Sequence, residues 1–343
     1  MKRALLGIAL AASALFASCG EGLPSEAQVN GIVHQLQHAP ELVRHSGVRR
    51  IESYYTLHGV VLPEVYREEV FADGAGGFHI EPLQMIQGGL DDHDQFKSLH
   101  LSRMGFHWRY RDFLVRDLTA FLNNYELSAY GQAVTIADRP CQQVRVVRKD
   151  GSASYEVAMD VQTGLVLRYR ELDANGVLFA AMEYESYDPF PDLSGVPLQQ
   201  AGQDETPLVD LDVLDFEPVT PKLIADGAYS FLAATLLDHP VTGEDVVKLT
   251  FTDGVETIFF LDFGPVPEEA MEASGSSLPT QPTTSVAGFD QQGTLPQDID
   301  VIRRFQDGPL SILWGELAGH SIVALGKTPY ANLQMMLESA LTE

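Results

Sequence analysis

Few side-chain groupings in this chain of 343 residues have a type and spacing that could do chemistry, and each lacks part of what that chemistry needs. His34 and His38 stand four residues apart, which on a helix turns both imidazoles to one face where a metal ion could be shared. The pair alone does not complete a site, and solvated helix histidines are expected. Asp91, Asp92, His93 and Asp94 gather carboxylates around an imidazole, but acids favour helix amino ends, and the run reads as the start of a helix or a loop. Gly319-His320-Ser321 sets a hydroxyl beside an imidazole, lacks the second glycine of a nucleophile elbow, and lies in a strand pattern. Gly74-Ala75-Gly76-Gly77 has the glycines of a phosphate loop without the helix that should follow. The sequence therefore implies no catalytic residues, no metal and no cofactor, and an enzyme is not expected.

Cys19 is the remaining reactive position. Lys2 and Arg3 open an apolar run from Ala4 to Phe16, and the small residues Ala17 and Ser18 close it, as in an export signal. The run is shorter than the ~20 residues a spanning helix needs. Phe16-Ala17-Ser18-Cys19 resembles the lipobox of bacterial lipoproteins, in which the cysteine sulfur receives a diacylglycerol and the new amino terminus is usually acylated too. An ordinary cleaved signal and a retained helix are the alternatives. The resemblance implies a signal peptide over 1–18, lipidation at Cys19 and a firm N-terminal anchor, since several chains hold where one binds marginally. Gly20 is not the aspartate of an inner-membrane retention signal, which favours the outer membrane where that sorting rule applies. Residues 19–24 form a tether that reaches less than about 20 Å at ~3.5 Å per residue. With Cys19 acylated, Cys141 has no disulfide partner, and its alternating surroundings suggest a half-buried structural thiol.

Hydrophobic residues make up 45% of the chain, enough for a globular body, and its length suits two domains. Loss of Lys2 and Arg3 with the signal takes the formal net charge from −26 to −28. Nucleic acid is excluded as a partner, because its phosphates need a basic face. Between Ala201 and Asp300 the only basic residues are Lys222 and Lys248, whereas Arg103 to Lys149 is rich in arginine. A solvated acidic surface is the plain reading of the second half, and a surface facing a basic partner the sharper one.

The elements follow from periodicity and punctuation. Ser25 and Gln28 have capping-box spacing before Val29, Ile32, Val33 and Leu36, which share a helical face. Pro40 is expected to restart a second helical turn ending near His45, Ser46 and Gly47. Val48 to His58 and Val65 to Ala72 read as strands with Pro63 between them, and Phe78 to Ile80 as a third. Asp91 to Tyr130 reads as helical, with Leu114, Leu118, Phe121 and Leu122 at helical spacing. From Gln132 to Tyr187, Asp150-Gly151, Thr163-Gly164 and Asn175-Gly176 mark the joints of an antiparallel meander. Tyr155, Val157, Met159, Leu165, Leu167 and Tyr169 are its candidate ligand-binding residues, lining either a cavity or the sheet core. The proline-rich stretch 188–207 reads as a linker between domains at 25–187 and 208–343. The second domain is expected to hold a hairpin around Asp253-Gly254, a loop from Gly264 to Pro296, and strands at 301–305, 310–314 and 321–325. Its closing helix is capped by Thr328 and buries Leu333, Met336, Leu337, Ala340 and Leu341.

Arg139-Pro140, the run Tyr155 to Arg168 with its Asp160, Thr163, Gly164 and Leu165, and Asp173, Gly176 and Leu178 resemble the MucB/RseB family. Thr252-Asp253-Gly254, Gly315, Gly319 to Gly326 and Thr328-Pro329 are similar to that family's smaller carboxy-terminal domain. The resemblance implies an α+β fold: a half-open antiparallel β-barrel covered by helices, like the LolA/LolB lipoprotein carriers, and a smaller α+β domain with a C-terminal helix. It also implies regulation of envelope-stress sigma-factor signalling, with a membrane anti-sigma factor as partner and a lipid or lipoprotein acyl chain as the signal in an apolar cavity. A lipid or lipoprotein carrier or acceptor is the alternative function. The location implied is the cell envelope, facing the periplasm. Family regulators are usually soluble there, whereas this chain carries the anchor motif, and its acidic second half suits anionic lipopolysaccharide poorly.

Overall fold

The computed structural model describes residues 26–57, 60–88, 93–200, 205–209, 214–222, 227–238, 245–265, 303–307 and 310–341. Cys19 with the signal and tether, Ser25, Asp91, Asp92 and residues 266–296 of the expected loop lie outside the described residues. By compactness the chain divides into two units, with the main boundary between Ala201 and Gly202 and with Leu57–Val60 assigned to the second.

In the first unit, helix α1 (Glu26–Leu42) buries Ile32, Val33, Leu36 and Ala39. Pro40 does not restart a turn as expected: it lies inside the last turn of α1, and strand β1 (Arg44–Leu57) begins two residues after the helix ends. A proline cannot donate to the carbonyl four residues back. That carbonyl, on Leu36, accepts instead from the Val115 amide at 3.3 Å. His45 to Gly47 are extended because Ser46 exchanges backbone hydrogen bonds with Asp188, at 2.9 and 2.8 Å. Only glycine fits at 47, where a β-carbon would meet the Ser186 carbonyl at 2.2 Å.

β2 (Val60–Asp73) and β3 (Gly77–Gln87) follow, joined by the glycine turn. Pro63 lies within β2 rather than between strands, ahead of the ladder with β3 that starts at Val65, so its missing N–H interrupts none of those rungs. The helical region comprises α2 (His93–Ser102), a single turn at Met104–Phe106, a π-helical turn at His107–Arg111 and α3 (Leu118–Asn124). It ends sooner than its composition suggested. Tyr125–Ala129 forms β4, which pairs with β6 from Tyr125↔Arg148 to Ala129↔Val144. Phe121 is buried as expected, whereas Leu118 and Leu122 are exposed.

β5 (Val134–Ile136), β6 (Arg139–Arg148), β7 (Ala153–Asp160), β8 (Val166–Asp173), β9 (Leu178–Tyr184) and β10 (Gln199–Gln200) complete the sheet. Its order is β10-β3-β2-β1-β9-β8-β7-β6-β4, an open path with β5 beside β6. The three expected hairpin joints carry Gly151, Gly164 and Gly176 at φ 75°, 75° and 76°, where side chains are strained.

In the second unit the order is β11-β12-β13-β14-β17-β16-β15. These strands are β11 (Thr206–Pro207), β12 (Ser230–Asp238), β13 (Asp245–Thr252), β14 (Thr257–Pro265), β15 (Arg303–Asp307), β16 (Leu310–Leu317) and β17 (His320–Gly326). Helix α4 (Tyr330–Leu341) puts Leu333, Met336 and Leu337 into one cluster with Phe260, Leu313 and Ile322. Both units are thus α+β, with strand-rich antiparallel sheets and few helices.

Candidate functional site

Strand register builds one face of the larger sheet row by row. Ile51, Met182, Tyr169, Val157 and Val144 are successive partners across β1, β9, β8, β7 and β6. Tyr155 stands opposite Val146, and Leu167 shares the Tyr169 side by alternation. The six candidates Tyr155, Val157, Met159, Leu165, Leu167 and Tyr169 are all buried, so the structure brings them together as packed inner-face positions. Met159 and Leu165 close the β7–β8 end, where the Asp160 amide donates to the Leu165 carbonyl at 2.8 Å.

The segment 104–117 lies across this face as a strap. The Met104 sulfur accepts from the Ile80 amide at 3.0 Å, and Trp108 stacks on Phe78 with ring centroids 4.9 Å apart. Phe113 packs on Tyr155 at 5.0 Å and on Tyr169 at 6.5 Å, while the Tyr169 hydroxyl donates to the Arg111 carbonyl at 3.4 Å. The Val115 amide then reaches α1. Arg116 staples the strap to itself by donating to the carbonyls of Tyr110, at 3.0 Å, and Asp112, at 3.2 Å. Asp117 ends it by accepting from the Ala120 amide at 2.7 Å, the N-cap of α3.

At its centre the strap is fixed by charge. Arg111 grips Glu68 of β2 with Nη2 to Oε1 at 2.7 Å and Nη1 to Oε2 at 2.9 Å, a bidentate pair, and donates to the Tyr66 hydroxyl at 2.9 Å. Arg49 of β1 donates to Glu68 at 2.6 Å and to Asp112 at 2.7 Å, and Arg111 Nε closes the ring onto Asp112 at 2.9 Å. Burial would raise the Glu68 and Asp112 carboxyls, but the two guanidiniums outweigh it and hold both below the usual carboxylate range. Two positive and two negative charges therefore balance beneath the strap.

Three histidines border this ring, all held neutral chiefly by burial. His45 donates from Nδ1 to the Val43 carbonyl at 2.8 Å and accepts from the Tyr184 hydroxyl at 3.0 Å, and burial pushes it down to about 4. His100 lies 4.6 Å from the Tyr66 ring and 5.3 Å from the His107 ring, and burial pushes it down to about 4 against the Phe96 carbonyl it donates to. His107 is held well below its ordinary value by burial, then by Arg111 and His100. Both His107 ring nitrogens are buried without a hydrogen-bond partner.

Such an arrangement holds a segment in place; its charges neutralise one another and none faces a nucleophile. The other sequence candidates are structural. The His34 and His38 rings lie 4.6 Å apart, and among the described residues no group of three or more His, Cys, Asp or Glu could hold a metal. His320 donates to Asp262 at 3.0 Å, and Ser321 accepts from the Trp314 ring at 3.0 Å. Burial pushes the Cys141 thiol up to about 11, and the side chain is fully buried rather than half-buried. Sequence reading passed over Arg49, Glu68, Arg111, Asp112 and Phe113. The available signal was parity: Arg49 alternates onto the side of Ile51, and Glu68 onto the side of Tyr66 and Val70.

No helix among the described residues is long and apolar enough to cross a membrane. No curated protein matches the chain. Among solved structures, a Pseudomonas aeruginosa MucA/MucB complex is 16% identical, with a TM-score of 0.45, covering 91% of this chain and 96% of that one. MucB in complex with MucA(peri) is 15% identical, with a TM-score of 0.46, covering 90% and 97%. A structure of MucB by itself is 17% identical, with a TM-score of 0.46, covering 92% and 98%. Residues 34–201, which hold the strap and every strand of the larger sheet, match the model of the MucB/RseB N-terminal domain. Residues 34–201 are therefore a MucB/RseB N-terminal domain, and the members of that family are regulatory, non-enzymatic binding proteins.

Proposed function

We propose that this protein regulates envelope-stress signalling by binding the periplasmic part of a membrane anti-sigma factor and sensing an acyl chain on the inner face of its larger sheet. The match of residues 34–201 to the MucB/RseB N-terminal domain carries this reading. The sheet is proposed to curve as a half-open barrel, with 25–187 as the sensing domain, 188–207 as linker and 208–343 as the smaller domain. Tyr155, Val157, Met159, Leu165, Leu167 and Tyr169 supply an apolar lining suited to a hydrocarbon chain. Cys19 is proposed to carry a diacylglycerol that holds the protein on the periplasmic side of the outer membrane.

Crosslinking in cells tests the partner. Recovery of an anti-sigma factor is expected, and recovery only of lipoproteins in transit would replace regulation by the carrier or acceptor function. Intact mass of the mature protein tests the anchor: added acyl mass is expected, and its presence unchanged in Cys19→Ala would overturn lipidation at that residue.

A further inference from the structure

The strap occupies the face that the proposed ligand needs, so the ligand and the strap's own residues cannot both sit there. Phe113 covers Tyr155 and Tyr169, and it is adjacent in sequence to the two charges, Arg111 and Asp112, that tie the strap to β1 and β2. Movement of Phe113 therefore strains or breaks the charge ring. Within the strap, five residues are wound as a π-helical turn, a form met mostly as single turns at functional positions. That turn presents His107 to His100 across a stacked contact of 5.3 Å.

We propose that the strap is an acid-released gate: protonation of His100 and His107 adds charge beside a ring already balanced at two positive and two negative groups, and frees 104–117 from the inner face. This rests on the reading that the inner face receives an apolar ligand, and it specifies how that site is opened.

The charged and titratable groups facing the two imidazoles come from each element packed on them. β1 contributes Arg49, β2 contributes Tyr66 and Glu68, Arg103 follows α2, and the strap itself adds Arg111. Three of these five are cations, and the one carboxylate, Glu68, is already held by both Arg49 and Arg111. A new imidazolium thus gains no free anion. His107 has no acceptor for either ring nitrogen, so a second ring proton there would be buried without a partner, which is costly. On release His107 leaves with the strap and His100 of α2 loses the ring stacked on it, so both meet water and take up protons near pH 6.5. Closure is accordingly favoured in full above about pH 6.5 and is lost as pH falls toward 4, the folded value of His100. From pH 7.5 to 5.5 one such histidine raises the open population about tenfold.

Hydrogen exchange of the full chain at pH 7.5 and 5.5, corrected for the intrinsic pH effect, tests the gate. At pH 5.5 the amides of 104–117 should open at least about tenfold more, while those of β6 to β8, which exchange only on unfolding of the first unit, stay far better protected than the strap. In H100Q/H107Q the acid response should disappear. Equal protection of the strap at both pH values, exchange of the strap no faster than that of β6 to β8, or an undiminished response in the double variant would each overturn the proposal. Should the double variant not fold, proton NMR of the wild-type histidines decides: His100 and His107 should titrate with strap opening, and titration without opening overturns it. Binding of cis-parinaric acid, measured in parallel, separates the two readings. Acid opening without probe binding keeps the gate and removes the apolar-ligand reading, whereas probe binding with a strap closed at both pH values does the reverse.

Discussion

In the second unit, α4 closes a sheet with Leu333, Met336 and Leu337 among Phe260, Leu313 and Ile322, whereas in the first unit a strap crosses a sheet through Arg49, Glu68, Arg111 and Asp112. Both solutions exclude water, but they respond differently to change. An apolar cluster has no direction and no charge, so its stability scarcely depends on pH. A buried charge ring must lose hydration to form, adds little net stability against an apolar equivalent, and fails badly when one member is lost. Apolar closure suits permanence, and charged closure suits a segment that must leave and return to one position.

Substitutions can break this contrast. Phe260→Ala should cost about 3–5 kcal/mol and Glu68→Ala about as much, the first by leaving a cavity and the second by leaving two buried guanidiniums with only one of the two carboxylates they share. Chemical unfolding monitored separately for the two units reads both. The contrast predicts that hydrogen exchange in 104–117 rises in Glu68→Ala and is unchanged in Phe260→Ala. Equal effects on the strap would remove it.

A second effect, up to about 3 kcal/mol, belongs to His45. Burial, the largest influence, depresses it to about 4 against 6.5 unfolded, so the unfolded chain binds the proton more readily. Its contribution is complete above about pH 6.5 and is lost as pH falls toward 4. The first unit should therefore lose stability through this window, and His45→Gln should flatten the slope; a slope unchanged in the variant would refute the assignment.

Smaller still is the backbone effect at the hairpin joints. Gly151→Ala should cost about 1 kcal/mol from its φ of 75° alone, since nothing lies within 4 Å of the added carbon. Gly164→Ala should cost more, because its β-carbon would meet Gln35 of α1 at 2.9 Å. Thermal melts rank the two, and equal costs would show that α1 yields freely there. Cys141 provides a probe without mutation: buried and with its thiol raised to about 11, it should resist alkylation at pH 8 until the first unit unfolds.

What the sequence made legible follows the range of the interactions involved. Asp150-Gly151, Thr163-Gly164 and Asn175-Gly176 mark turns by local chemistry, and Tyr155, Val157, Leu167 and Tyr169 declare a buried face by alternation. Tyr125–Ala129 misled because its five residues follow a helix and become a strand only by pairing with β6, far along the chain. The strap was invisible for the same reason: 104–117 has no period of its own, and its partners lie on β1, β2, β3, β7, β8 and α1. Glu68 between Tyr66 and Val70, and Arg49 on the side of Ile51, were the traces it left in the sequence.

Pro40 gives that strap a witness. Because the proline supplies no proton to the Leu36 carbonyl, the Val115 amide stands in as a surrogate rung of α1. Whenever Val115 departs, the helix loses a bond it cannot regenerate from its own backbone, and its carboxyl-terminal turn should loosen in step. A spectroscopic label on the exposed Leu42 position would then read the strap's occupancy from outside the sheet, without touching a residue that binds anything.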